Sequence, residues 1–232
     1  MEIALLARFK KRATKGLTMP KYSTEIRKSP REEYIKVFLA NNNELTSVKE
    51  RLELIRSVRR VNISNENRDL TVYVKQPFSA KEAIEHIKKS LDAYYSGTGC
   101  RDSELLKEVL EIRNSLSLDS KARKCYNDAL SKMVEAKYDR NCLDDIRLAL
   151  ELFLKEILKN DKPLEKQSAA LKAYFEQKKM SSELIKVNTQ SLFNLCEFFN
   201  NHTKHDYNVR HHEVDTVIGY ANQIMKSILA DN

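Results

Sequence analysis

The chain reads as an α+β N-terminal unit of β-α-β-β-α order followed by an all-α helical bundle, and three observations lead there. Residues 32–97 interleave β-branched and aromatic runs with apolar residues at helical spacing. From residue 100 to residue 232 every apolar pattern has the helical period. Four glycines, four prolines and no tryptophan in 232 residues suit a mostly helical protein with plain connections, and they exclude an all-β one.

The elements follow in chain order. M-E-I-A-L-L-A-R-F-K-K-R-A-T-K-G sets Ile3, Leu6, Phe9 and Ala13 along one helical face. Arg8, Lys10, Lys11, Arg12 and Lys15 surround it, and Gly16 closes it. Residues 15–31 are rich in Thr, Ser, Pro, Lys and Arg and short of large apolar residues, so they read as a linker. Residues 34–39 suit a buried strand, and residues 44–56 place Leu45, Val48, Leu52 and Ile55 on one helical face. V-R-R-V-N-I-S and D-L-T-V-Y-V-K then form a hairpin around N-E-N-R, with Leu70, Val72 and Val74 on one side. After Pro77, Ser79 and Glu82 form a capping box for a helix whose core face is Ala83, Ile84, Ile87 and Leu91. This order is half of a ferredoxin-like fold, short of its last strand, and topology of that kind assigns no activity.

Past the S-G-T-G break the helices succeed one another. Leu105, Val109, Ile112 and Leu116 make one face, and Ala122, Cys125, Tyr126, Ala129, Leu130 and Met133 the next. The strongest pattern is Ile146, Ala149, Leu150, Phe153, Leu154, Ile157 and Leu158, which predicts a central helix. Leu171, Tyr174 and Phe175 give a shorter one. Leu192, Leu195, Cys196 and Phe199 precede a last helix with Val214, Val217, Ile218, Ala221, Met225, Ile228 and Leu229 inward. The expected domains are therefore 1–31, a basic helix and linker; 32–97, a small α+β domain; and 100–232, the bundle.

Charge and chemistry narrow the function. Of the formal charge of +8, residues 1–36 carry ten Lys/Arg against four Asp/Glu. The basic helix, with Lys10, Lys11 and Arg12, suits nucleic-acid phosphates or an anionic surface, or is an ordinary docked helix with solvated lysines. The four cysteines form no C-x-x-C pair and are expected to be reduced thiols of a cytoplasmic protein, and no apolar run reaches membrane-spanning length. No phosphate-cradling glycine loop, serine-hydrolase elbow or paired-glutamate metal pattern occurs, which argues against an ATPase or metallohydrolase. No cofactor is expected.

Four of the five histidines, His202, His205, His211 and His212, crowd around N-N-H-T-K-H-D at 200–206, where a loop is expected between two helices. A polar helix junction is the plain explanation. Zinc held by these histidines with Cys196 is a weaker one, since the spacing fits no established finger. His86 is expected at the surface of its helix, and Arg147 and Glu151, four apart, as a helical ion pair.

The stretches Y-D-R-N-C-L-D-D-I-R-L-A-L-E-L-F-L-K-E-I-L-K-N-D-K-P-L-E-K-Q and F-F-N-N-H-T-K-H-D-Y-N-V, with the helix after them, resemble the C-terminal domain of bacterial abortive-infection proteins. That domain is similar to the HEPN superfamily of helical bundles, and the likeness covers roughly residues 135–232. The resemblance implies a metal-independent ribonuclease of phage-defence or toxin–antitoxin systems, working as a homodimer on RNA, sometimes with a partner defence or antitoxin protein. Its R-x(4–6)-H motif falls on His205, with the motif's asparagine on Asn201. The arginine position holds Asn200. In the implied mechanism the ribose 2′-OH attacks the adjacent phosphorus, His205 acts as base or acid, Asn201 orients the phosphate, and a cation steadies the phosphoryl oxygens. Asn200 carries no charge, so Lys204, Arg210 and Arg147 are the substitute cations, and Asp206 either orients His205 or caps the next turn. The alternative is a non-catalytic RNA-binding or scaffold protein that lost the chemistry with the arginine.

Overall fold

One strand precedes the first strand expected from the sequence and forms a hairpin with it. The computed structural model describes residues 21–29, 32–64, 69–96, 103–117, 120–135, 140–205 and 210–230. In it β1 (Tyr22–Lys28) pairs antiparallel with β2 (Glu33–Leu39), from Tyr22 opposite Leu39 to Lys28 opposite Glu33. The turn is held by Ser29, whose Oγ accepts from the Glu32 N–H at 3.1 Å. The expected linker 15–31 thus contains a strand. Its polar residues are accommodated because β1 is an edge strand, held mainly by the backbone ladder to β2 and by its cross-strand neighbours.

The remaining strands fall close to their expected places, with α1 (Leu45–Glu53) leading to β3 (Val58–Ser64) and β4 (Asp69–Val74). The sheet order is β1-β2-β4-β3. Both β2 and β3 run antiparallel to β4, so they are parallel to each other with β4 between, a split β-α-β arrangement. The outer place beside β2, which the expected half-fold left empty, is taken by β1 from the N-terminal side.

Alternation sorts the sheet into two faces. Ile35, Val37, Leu70 and Val72 are completely buried, as are Val48 and Leu52 of α1 and Ala83, Ile87 and Leu91 of α2 (Ala80–Ser96). Each large aliphatic side chain so buried contributes about 1.5–3 kcal/mol relative to exposure. The start of α2 carries the expected capping box: the Ser79 N–H donates to Glu82 Oε2 at 2.8 Å, and the Glu82 N–H to Ser79 Oγ at 3.2 Å. His86, expected at the helix surface, is partly exposed there. Its Nδ1 lies 3.0 Å from Ser57 Oγ and its ring meets Phe78 edge-on at 5.9 Å, because α2 lies against the turn before β3.

The helices that follow are α3 (Ser103–Ser115), α4 (Lys121–Val134), α5 (Arg140–Leu158), α6 (Ser168–Gln177), α7 (Ser182–His205) and α8 (His211–Leu229). Ser120 caps α4, its Oγ accepting from the Arg123 N–H. Helix α5 touches α4, α6, α7 and α8, and Ile146, Ala149, Leu150 and Leu154 are fully enclosed. The helices α5 and α6 end on Lys159 and Lys179, at φ of 52° and 58°, and the following N–H groups of Asn160 and Met180 reach back to the carbonyls of Lys155 and Phe175.

The sheet unit and the helices share one continuous apolar core. A buried cation crosses the seam. Arg51 of α1 is completely buried, donates from Nε to the carbonyl and hydroxyl of Ser90 at 3.0 Å each, and reaches the Val134 carbonyl at the end of α4. The Arg113 guanidinium likewise reaches the Glu53 carbonyl, joining α3 to the end of α1.

Candidate functional site

Helix α7 is built on an inward stripe of Ile185, Asn188, Leu192, Leu195, Cys196 and Phe199, all at least nine-tenths buried. Continuing that helical winding carries the backbone unbroken through residue 205. The stretch 200–205 is therefore helix and not the expected loop. Asparagine and threonine are poor helix formers, but adding residues to an existing long helix costs far less than starting one. Asn200 is half-buried and Asn201 exposed. Residue 205 lies one turn, about 6 Å, beyond Asn201 on the same helix. For residues 202–205 the backbone alone is described, and Asp206, Lys10, Lys11 and Arg12 lie outside the described residues.

One outward line of α7 is Glu183, Gln190, Asn194, Glu197 and Asn201, each exposed, beside the exposed apolar residues Leu184, Val187 and Phe193. The line is polar, and Glu197 places a negative charge one turn before Asn201.

Across the connection, Arg210 is the exposed N-cap of α8. Its backbone N–H donates to Glu213 Oε2 at 2.8 Å, while its carbonyl accepts from the Glu213 N–H at 3.0 Å. Glu213 thus occupies the first turn, where the helix dipole favours negative charge. His212 is exposed, and its carbonyl accepts from Thr216 Oγ1 at 2.7 Å.

Arg147 has a different partner from the one expected. Its guanidinium donates to Glu165 Oε1 at 2.6 Å, whereas Glu151 pairs with Lys155 at 2.8 Å and accepts from the Leu164 N–H at 3.3 Å. The turn after α5, ending in the short 3₁₀ segment Leu164–Lys166, brings Glu165 over Arg147 and displaces the i,i+4 pairing. Both charges act on the thiol of Cys196 in α7. Arg147 therefore stands beside α7 about one turn before Asn200, with its charge already offset.

Burial, with Glu165 adding to it, pushes the Cys196 thiol up to about 11. A protonated, enclosed thiol is a poor metal ligand. No cluster of three or more His, Cys, Asp or Glu side chains suited to a metal ion occurs among the described residues. No helix among them is long and apolar enough to cross a membrane.

No family model, curated protein or solved structure matches the chain. Of the residues nominated from sequence, the structure brings Arg147 alongside α7, places Asn200 and Asn201 in its last turns and sets Arg210 at the head of α8. Glu165 was missed as the partner that restrains Arg147. It lies 18 residues on from Arg147, in a turn to which no local rule assigns a partner.

Proposed function

We propose that the helical half is a HEPN-like domain of the abortive-infection kind, a metal-independent endoribonuclease with weakened phosphoryl stabilisation, acting as a homodimer. The observation that carries this is the helical continuity from the exposed Asn201 to residue 205, which sets the two motif positions one turn apart along the backbone of α7. A groove for a polynucleotide needs that access.

In this reading the 2′-OH oxygen bonds to the neighbouring phosphorus as one histidine takes its proton. The P–O5′ bond breaks as a second, from the other copy, protonates the leaving oxygen, and a 2′,3′-cyclic phosphate remains. Asn201 orients the phosphate by hydrogen bonding. Asn200 supplies no charge where the family pattern has a guanidinium, a loss of about 3 kcal/mol of transition-state stabilisation. In this reading Arg210, exposed at the start of α8, is the cation taken to offset part of it.

A second reading, a non-catalytic RNA-binding or scaffold protein of a defence or toxin–antitoxin system, is favoured by the same Asn200 and by the Arg147–Glu165 pair, which removes a nominated cation. RNA cleavage in EDTA by the purified protein, beside His205→Ala, decides between them. Cleavage lost in the variant supports the nuclease. Absence of cleavage in both leaves the binding protein, and sedimentation shows whether two copies associate.

A further inference from the structure

The face of the sheet turned away from α1 and α2 carries one transverse row of chemistry. Register places Arg27 of β1 opposite Tyr34 of β2, Tyr34 opposite Tyr73 of β4, and Tyr73 opposite Arg60 of β3. Four strands at the usual spacing make this row about 14 Å long. The two tyrosine rings sit 6.2 Å apart on the two central strands, tilted by 37°. The Arg60 guanidinium carbon lies 4.0 Å from the centre of the Tyr73 ring.

A strand normally sends successive side chains to opposite faces. Between Val58 and Arg60 the register of β3 shifts, and this bulge brings Arg59 towards Tyr73 as well, at 5.8 Å from the ring centre. The residue pair is exposed, with just over half of each side chain open to solvent. A single carboxylate, Glu32, serves both guanidiniums, at 2.5 and 4.0 Å. The neighbouring row is polar, Glu25, Lys36, Thr71 and Asn62. The row beyond it is Ser23, Phe38, Asp69 and Ser64, with Asp69 buried and paired to Lys36 at 2.6 Å.

We infer that this sheet face is a binding platform for single-stranded nucleic acid, in which bases stack on Tyr34, Tyr73 and the Arg60 plane while Arg27 and Arg59 meet the phosphates. Aromatic rings on the central strands of a sheet accept bases of any sequence, and guanidinium planes extend the stack. Lys36 and Asp69 form a nearly enclosed pair, and the solvent-facing cations Arg27, Arg59 and Arg60 outnumber the carboxylates that pair with them, Glu25 and Glu32. The approaching backbone thus meets net positive charge. The inference stands on these contacts and is independent of ribonuclease chemistry at α7.

The test uses the full chain with fluorescein-labelled U12 RNA, dT12 DNA and a 12-base-pair duplex. Both single strands should bind at least tenfold more tightly than the duplex, and their ratio tells whether the 2′-OH contributes. Tyr34→Ala and Tyr73→Ala should each weaken binding roughly tenfold, whereas Tyr34→Phe and Tyr73→Phe keep it. Arg27→Ala with Arg59→Ala should flatten the slope of log affinity against log salt by about 1.4. The chain has ten tyrosines and no tryptophan, so quenching of tyrosine emission by U12 reports stacking in the unaltered protein, whatever the variants do to folding. Absence of single-strand binding, absence of quenching, or unchanged affinity in a folded Tyr34→Ala/Tyr73→Ala protein overturns the proposal. So does a face that proves to be occupied by a second copy or by residues 1–20 and gives no binding.

Discussion

The guanidinium of Arg147 is held by Glu165 at 2.6 Å, across the turn that follows α5 and beside the Cys196 thiol of α7. This pair decides how much positive charge the α7 region presents. Glu165→Gln frees the guanidinium and should tighten binding of U12 RNA at low salt by roughly twofold to fivefold, the scale of a surface ion pair. An unchanged affinity means that Arg147 never meets a phosphate.

Position 200 gives the sharpest test of the nuclease reading. Asn200→Arg restores the charge and the paired donors of a guanidinium. RNA cleavage in EDTA should rise by about a hundredfold over the unaltered protein, and His205→Ala in the Asn200→Arg background should abolish it. A silent Asn200→Arg protein would assign the junction to binding alone.

The seam between sheet and helices is expected to depend on Arg51. Removing its side chain leaves the Ser90 and Val134 carbonyls without their donor in a closed core. Arg51→Ala should lower the unfolding free energy by about 3 kcal/mol, measured by urea denaturation with sheet and helix probes together. A loss under 1 kcal/mol would show that water replaces the guanidinium.

Alkaline pH should weaken the fold, and the sign follows from three raised groups. Burial moves the Cys196 thiol from 9.0 to about 11. Burial and hydrogen bonds to Asp92 and Glu44 raise Tyr22 and Tyr95 above their ordinary 10.0. Each is protonated more firmly in the folded than in the unfolded chain. The associated stability is fully present below pH 9 and is lost as pH climbs towards 11, with the tyrosines adding to the loss above pH 10. Denaturation midpoints across pH 7–11 check this, and Cys196→Ser should remove the part that begins near pH 9.

Legibility along the chain followed the source of each element's stability. The apolar stripe of α5 appears in sequence because that helix is enclosed on several sides, so its residues must recur at the helical period. The strand β1 was hidden because Tyr22 and Ile26 are its only large apolar residues, and a strand's hydrogen bonds are supplied by its neighbour. The end of α7 misled for the opposite reason, since Asn, Thr and His favour loops locally while the packed helix before them carries the winding on.

By itself the sequence determined the strands and helices that bury their own side chains and the capping box at Ser79. Only the tertiary structure decided that β1 completes the sheet, that Glu165 and not Glu151 holds Arg147, and that Arg27, Tyr34, Tyr73 and Arg60 form one row. Periodicity records which way a residue faces along its own element. Pairing between elements is set by register and by turns, and those bring together residues that no local pattern connects.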